Sequence, residues 1–182
     1  MIIELKLEAG YDASMIGLSL NKEQSPAKMQ HVANKLAFAD SGSHRKFLRQ
    51  ICLWWYLKIP RYIWSEADTY KISTVRNSGS TMHNLHKKRP VAEDFHATPP
   101  QMIDMFCECW DDWQAGKLTL SEIKACLPEG YLQDSVLSMN YEVFRTMYRD
   151  RITHRLPEWQ EILNSMLAQI EHPELIIKET YV

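Results

Sequence analysis

Glycine is scarce in this 182-residue sequence, and its six copies form neither GxxxxGK[ST] nor GxGxxG. The two glycine-rich phosphate cradles are therefore excluded. Cysteine is scarcer still. Cys52, Cys107, Cys109 and Cys126, in a domain with a sizeable apolar core and no export signal, read as reduced thiols. Long apolar runs are missing as well: none approaches the ~18 residues of a membrane span. Ile2 to Leu7 is interrupted by Glu4 and Lys6 and has neither the basic start nor the small-residue cleavage site of an export signal. These absences predict a cytoplasmic protein of one domain, residues 1–182. His83-x-x-His86 and Cys107-x-Cys109 offer metal-ligand residue types. Zinc sites, however, pair thiolates two to four residues apart with matching ligands elsewhere, so no metal is expected.

What the sequence has is an uneven distribution of charge. Its net charge is only -2, yet ten Lys or Arg lie between Arg45 and Arg89 against two acids, Glu66 and Asp68. Trp54, Trp55, Tyr56, Tyr62, Trp64 and Tyr70 lie within that block. Cations interleaved with aromatic residues suit phosphate groups, nucleotides or single-stranded nucleic acid. The alternative is a core strand with solvated cations at its ends.

The periodicity predicts an α+β domain, a small mixed sheet wrapped by helices. Met1 to Glu8 reads as a strand ended by Gly10, and Cys52 to Ile59 as a buried strand ended by Pro60. Helices are predicted from Ala27 to Ala39, from Ser43, and from Trp64 to Arg76 with Ser65 as cap. Further helices follow Thr98-Pro99-Pro100 and Thr119 or Ser121, and run from Asn140 to Arg151 and from Pro157 to Gln169. Lys87-Lys88-Arg89-Pro90 reads as an exposed loop.

One stretch carries a family resemblance. From Asp68, the order Asp-Thr-Tyr-Lys-Ile-Ser-Thr-Val-Arg-Asn-Ser-Gly-Ser-Thr is similar to RHRxxSxNExSxRY of the flavin-dependent thymidylate synthases. Ser73 and Ser78 fall on the two serines of that motif. Upstream, His44 and Arg61 resemble a histidine and an arginine of the family. Downstream, Leu127-Pro128 and Asn140-x-x-x-Phe144-x-x-Met147-x-x-x-Arg151 resemble its leucine-proline and its asparagine-to-arginine helix. The resemblance spans roughly residues 40 to 165. It implies the family fold, usually tetrameric, with His44 and Asn140 near a flavin and Arg151 against a uracil.

The departures are chemical. Asp68-Thr69-Tyr70 stands where the family has Arg-His-Arg, Val75-Arg76 where it has Asn-Glu, and Ser80-Thr81 where it has Arg-Tyr. Exchanging cations for a carboxylate and neutral groups removes donors beside a phosphate-bearing cofactor. The expectation is therefore a phage or mobile-element protein, homo-oligomeric and without a cofactor. It would act by binding nucleic acid or a nuclease such as Cas9, in the manner of a type II-A anti-CRISPR protein. Arg61, Trp64, Tyr70, Lys71, Ser73, Arg76, Ser78, Ser80, Lys87, Lys88 and Arg89 are its candidate contacts. The alternative is an enzyme that uses FAD to transfer a one-carbon unit to C5 of dUMP or dCMP, with Arg151 polarising the base.

Overall fold

The computed structural model describes residues 1–20 and 25–178. In chain order the elements are β1 (Ile2–Ala9), α1 (Tyr11–Ser19), α2 (Gln30–Leu36), β2 (Cys52–Pro60), α3 (Arg61–Ala67) and β3 (Thr74–Ser78). They continue with α4 (Thr81–Asn84), α5 (Pro100–Gln114), α6 (Leu120–Cys126), β4 (Leu132–Asn140), α7 (Tyr141–Arg151) and α8 (Pro157–Leu167). Short 3-10 turns occupy Pro26–Lys28, Lys46–Gln50, Ala92–Asp94 and Pro173–Leu175. The strands form one four-stranded antiparallel sheet in the order β1-β2-β4-β3. The α+β class read from the sequence is the class observed. Among the described residues, no helix is long and apolar enough to cross a membrane.

Most expected elements form with shifted ends. β2 is buried at every second residue, Leu53, Trp55, Leu57 and Ile59, the period of a pleated strand. Thr119 caps α6 and exchanges bonds with Glu122 in a capping box. Asn140 caps α7 by accepting from the Val143 N–H at 3.0 Å. The stretch from Trp64 to Arg76 is not one helix. Pro60 supplies the extended residue before α3, so the helix starts at Arg61 and ends at Ala67. The chain then turns through Ser73, which has a left-handed φ of 62°, and β-branched Thr74 and Val75 open β3.

Contacts divide the chain into two compact units. The first comprises residues 1–2, 57–69 and 77–136. Its core gathers Leu85, Phe95, Phe106, Trp113, Ile123 and Leu127. Burying side chains of this size contributes roughly 1.5–3 kcal/mol each. The second comprises residues 3–56, 70–76 and those from Leu137 onward, with Trp55, Tyr141, Phe144, Trp159 and Leu163 fully or almost fully buried.

Two devices hold the second unit's corner together. Gly10 has a φ of 101°, and a Cβ there would lie 2.0 Å from the Gln50 carbonyl oxygen, so only glycine fits. The Tyr141 hydroxyl donates to Glu8 and accepts from the His172 N–H at 3.3 Å. Burial, and then that carboxylate, push the phenol well above its ordinary value.

Candidate functional site

The Gly10 corner sets α1 beside the turn that carries Gln50, and a cavity of about 580 Å³ opens there. Leu18, Leu36 and Phe47 form its apolar wall, and Ser43, His44, Lys46, Arg49 and Gln50 bring polar groups to it. Ser14, buried, closes another side, with its hydroxyl donated to the Tyr11 carbonyl at 2.9 Å. The volume is that of a small-ligand site, and an apolar wall with a few convergent donors is the usual composition of one. Three of those donors are cationic or become so on protonation: His44, Lys46 and Arg49. Arg49 is held by Glu142 and donates to the Gly42 carbonyl at 3.0 Å. Lys46 is exposed and forms no ion pair among the described residues.

His44 is thus the one expected cofactor residue that opens onto a cavity. Asn140 is only 6 % exposed, and its side-chain oxygen is engaged as the α7 cap. Arg151, half-buried on the last turn of α7, donates from Nε to the Tyr70 hydroxyl at 3.2 Å. Its guanidinium carbon lies 5.9 Å from the Tyr70 ring centroid and 5.4 Å from that of Trp159. The two aromatic residues hold the cation by its faces.

The expected nucleic-acid contacts fall in both units. In the first unit most of the charge is already countered. Arg61 faces Glu129 at 3.3 Å, and Lys58 and Lys88 share Asp94 at 3.8 and 3.0 Å. Arg89 makes a bidentate bond to Asp111 and holds that carboxyl below its ordinary range. Lys87 donates to Asn84 at 2.8 Å. Ser78 ends β3, and Ser80 precedes α4.

Trp64 must be corrected. It is 2 % exposed, and its indole N–H donates to the Gln133 carbonyl at 2.9 Å, so no ring face is available to stack on a base. In the second unit, Lys71 and Ser73 are exposed, while Tyr70 and Arg76 are half-buried.

One residue of the histidine pair and one of the cysteine pair have other contacts. The His86 ring lies 4.2 Å from Trp113, and Cys107 is buried with its thiol donating to the Pro90 carbonyl. Among the described residues no group of three His, Cys, Asp or Glu is placed to hold a metal ion. The sequence reading overlooked Lys46 and Arg49 as cavity residues. Their signal was present, since Arg45, Lys46 and Arg49 have the spacing of one helical turn, but of the apolar wall only Phe47 is local, and Leu18 and Leu36 come from α1 and α2.

Neither a known family model nor a curated protein matches the sequence. Solved structures do match. A crystal structure of the flavin-dependent thymidylate synthase ThyX from Helicobacter pylori, complexed with FAD and dUMP, superposes with a TM-score of 0.80 over 97% of this chain and 98% of that one, at 14% identity. A second structure of that enzyme, with FAD and dUMP, gives a TM-score of 0.82 over 98% of both chains at 12% identity. At such identities the likeness concerns architecture, and sites must be argued from residues. The chain has the fold of the flavin-dependent thymidylate synthases.

Proposed function

We propose that the chain acts by binding a phosphate-bearing ligand of the nucleotide class, and that it does so without flavin chemistry. The ligand is a free mononucleotide or a nucleotide of an exposed strand. The cavity carries this reading: about 580 Å³, an apolar wall for a base or sugar, and His44, Lys46 and Arg49 for phosphate oxygens. Charge-assisted bonds of this kind contribute roughly 1.5–3 kcal/mol each.

A flavin fits these residues poorly. At the three positions aligned with the family's Arg-His-Arg, Asp68 is an exposed carboxylate. The Thr69 hydroxyl donates to the Glu66 carbonyl at 2.7 Å, and the Tyr70 hydroxyl accepts from Arg151. None supplies a cation. Binding to a strand would extend to a strand held by a nuclease such as Cas9, the partner expected from the sequence.

A second reading, one-carbon transfer to C5 of dUMP or dCMP, is favoured by Arg151. That residue stands on α7, half-buried between two aromatic rings. It stands second because it requires a cofactor site these residues do not form.

The test is the absorbance spectrum of the purified protein, followed by titration with FAD, dUMP and oligo-dT. The expected result is a colourless protein that binds dUMP or oligo-dT. Affinity should fall at least tenfold in a His44→Ala/Lys46→Ala double variant. A stoichiometric yellow complex would replace this reading with the enzymatic one.

A further inference from the structure

Beside the cavity, Arg145 has Arg45 and Arg149 as charged neighbours, and Arg45 shares the carboxylate of Glu142 with Arg49. Glu142, Arg145 and Arg149 lie three and four residues apart on α7 and share a face. Glu142 takes both Arg45, at 3.5 Å, and Arg49. Arg149 pairs with its neighbour Asp150 at 2.7 Å. Arg145 has no carboxylate of its own among the described contacts. Its guanidinium lies 4.8 Å from the centroid of the Phe38 ring, and its Nε is buried without a hydrogen-bond partner. A buried donor of this kind is costly unless something accepts from it. Burial, and then the nearby charges of Arg45 and Arg149, hold the Arg145 guanidinium below its ordinary value.

Arg45 is fixed from the other side, with Nη1 donating to the Asp40 carbonyl at 2.9 Å. Gly42, three residues before Arg45 in the chain, stands close to both Arg45 and Arg49. The Nη2 atoms of the two arginines lie 4.0 and 3.8 Å from where a Gly42 Cβ would stand. The gap between the two forks is therefore left open by the missing side chain.

We infer that Arg45, Arg49 and Arg145 form a phosphate subsite for the ligand proposed above, with Gly42 leaving room for its oxygens. A ring beneath Arg145 occupies one face of the guanidinium and leaves the in-plane N–H groups for an acceptor. Several such forks converging with one carboxylate match a polyvalent oxyanion, which accepts from all of them at once. The subsite rests on the reading that this unit binds a phosphate-bearing ligand.

The test uses the whole chain with inorganic pyrophosphate, dUMP and oligo-dT as probes. Affinities come from calorimetry, and the arginine Nε–Hε resonances are followed by NMR. Pyrophosphate should bind, shift the Arg145 Nε–Hε resonance, and bind at least tenfold more weakly to Arg145→Met. That variant removes an unpaired charge and should fold. Arg145→Lys keeps the charge but loses the fork, and should recover only part of the affinity. Gly42→Ala meets nothing closer than ordinary contact, so it should fold and weaken pyrophosphate by filling the gap. Unchanged pyrophosphate affinity in folded Arg145→Met overturns the subsite. If dUMP or oligo-dT still binds in a His44- and Lys46-dependent way, the cavity reading survives that loss. Arg145-dependent pyrophosphate binding without binding of either nucleotide probe keeps the subsite and overturns the cavity reading. A preference for dUMP over oligo-dT identifies a free nucleotide as the source of the phosphate, and the reverse identifies a strand.

Discussion

Trp64 shows how one residue type serves opposite ends in a basic, aromatic segment. Among lysines and arginines, a tryptophan looks like a stacking platform for bases. Here its ring is sealed in the first unit, and its only polar atom bonds the Gln133 carbonyl. Trp64→Ala should therefore cost about 3–5 kcal/mol of stability, the usual loss for a buried aromatic residue. Trp64→Phe keeps most of the packing and loses one buried bond, and should cost less. Ligand affinity per folded molecule should be unchanged in both. Urea unfolding beside oligo-dT titration checks this, and a stable Trp64→Ala that loses strand binding would restore the stacking role. Arg145 is the opposite case. Nothing in its local sequence marks it, because the groups that matter, Arg45 and Phe38, lie about a hundred residues away in the chain.

At the scale of elements, α7 was the most legible part of the chain. Its extent, its apolar residues Phe144 and Met147 and its final arginine could all be read, since each depends on residues within one helix. Asn140 nevertheless has a different use from the expected one. If its oxygen works as the α7 cap, Asn140→Ala should lose about 1 kcal/mol, and Asn140→Ser or Asn140→Asp should recover most of it. Thermal melts of the three variants decide this; equal losses in all three would point to some other use of the amide. The stretch from 64 to 76 was misread for a physical reason. Ser65 suggested a cap with the helix following it, but the helix already starts at Arg61, after Pro60, and ends at Ala67. Ile72 and Val75 beyond it are 84% and 69% exposed, so no core holds a longer helix. β4 was also hidden, because Gln133 and Asp134 interrupt its apolar residues. Gln133 donates to the Gly79 carbonyl at 2.8 Å, and the Asp134 carbonyl accepts from the Gly79 N–H. These bonds join segments far apart in sequence, which no local pattern records. The cavity was illegible for the same reason: its cations come from one turn, and its apolar wall draws on α1 and α2.

Across the whole molecule, the basic block of the sequence is largely neutralised by folding. Asp94, Asp111, Glu129 and Glu142 lie outside residues 45–89, yet they pair with six of the ten cations inside it. With a net charge of -2, attraction to a polyanion must come from the local excess near Lys46 and Arg145 rather than from the overall field. This fixes the expected salt dependence. Each phosphate neutralised on a single strand contributes about -0.7 to the slope of log K against log salt. All ten cations acting together would give about -7, whereas three or four give about -2 to -3. Titration of labelled oligo-dT over a several-fold range of KCl should return the shallow value. Arg145→Met should flatten it further by about 0.7, while Arg89→Ala should leave it unchanged, because Arg89 is committed to Asp111. A wild-type slope steeper than about -5 would mean that the pairs with Asp94, Asp111 and Glu129 open on binding. The nucleic-acid surface would then be the block as first read from the sequence, with the cavity only one part of it.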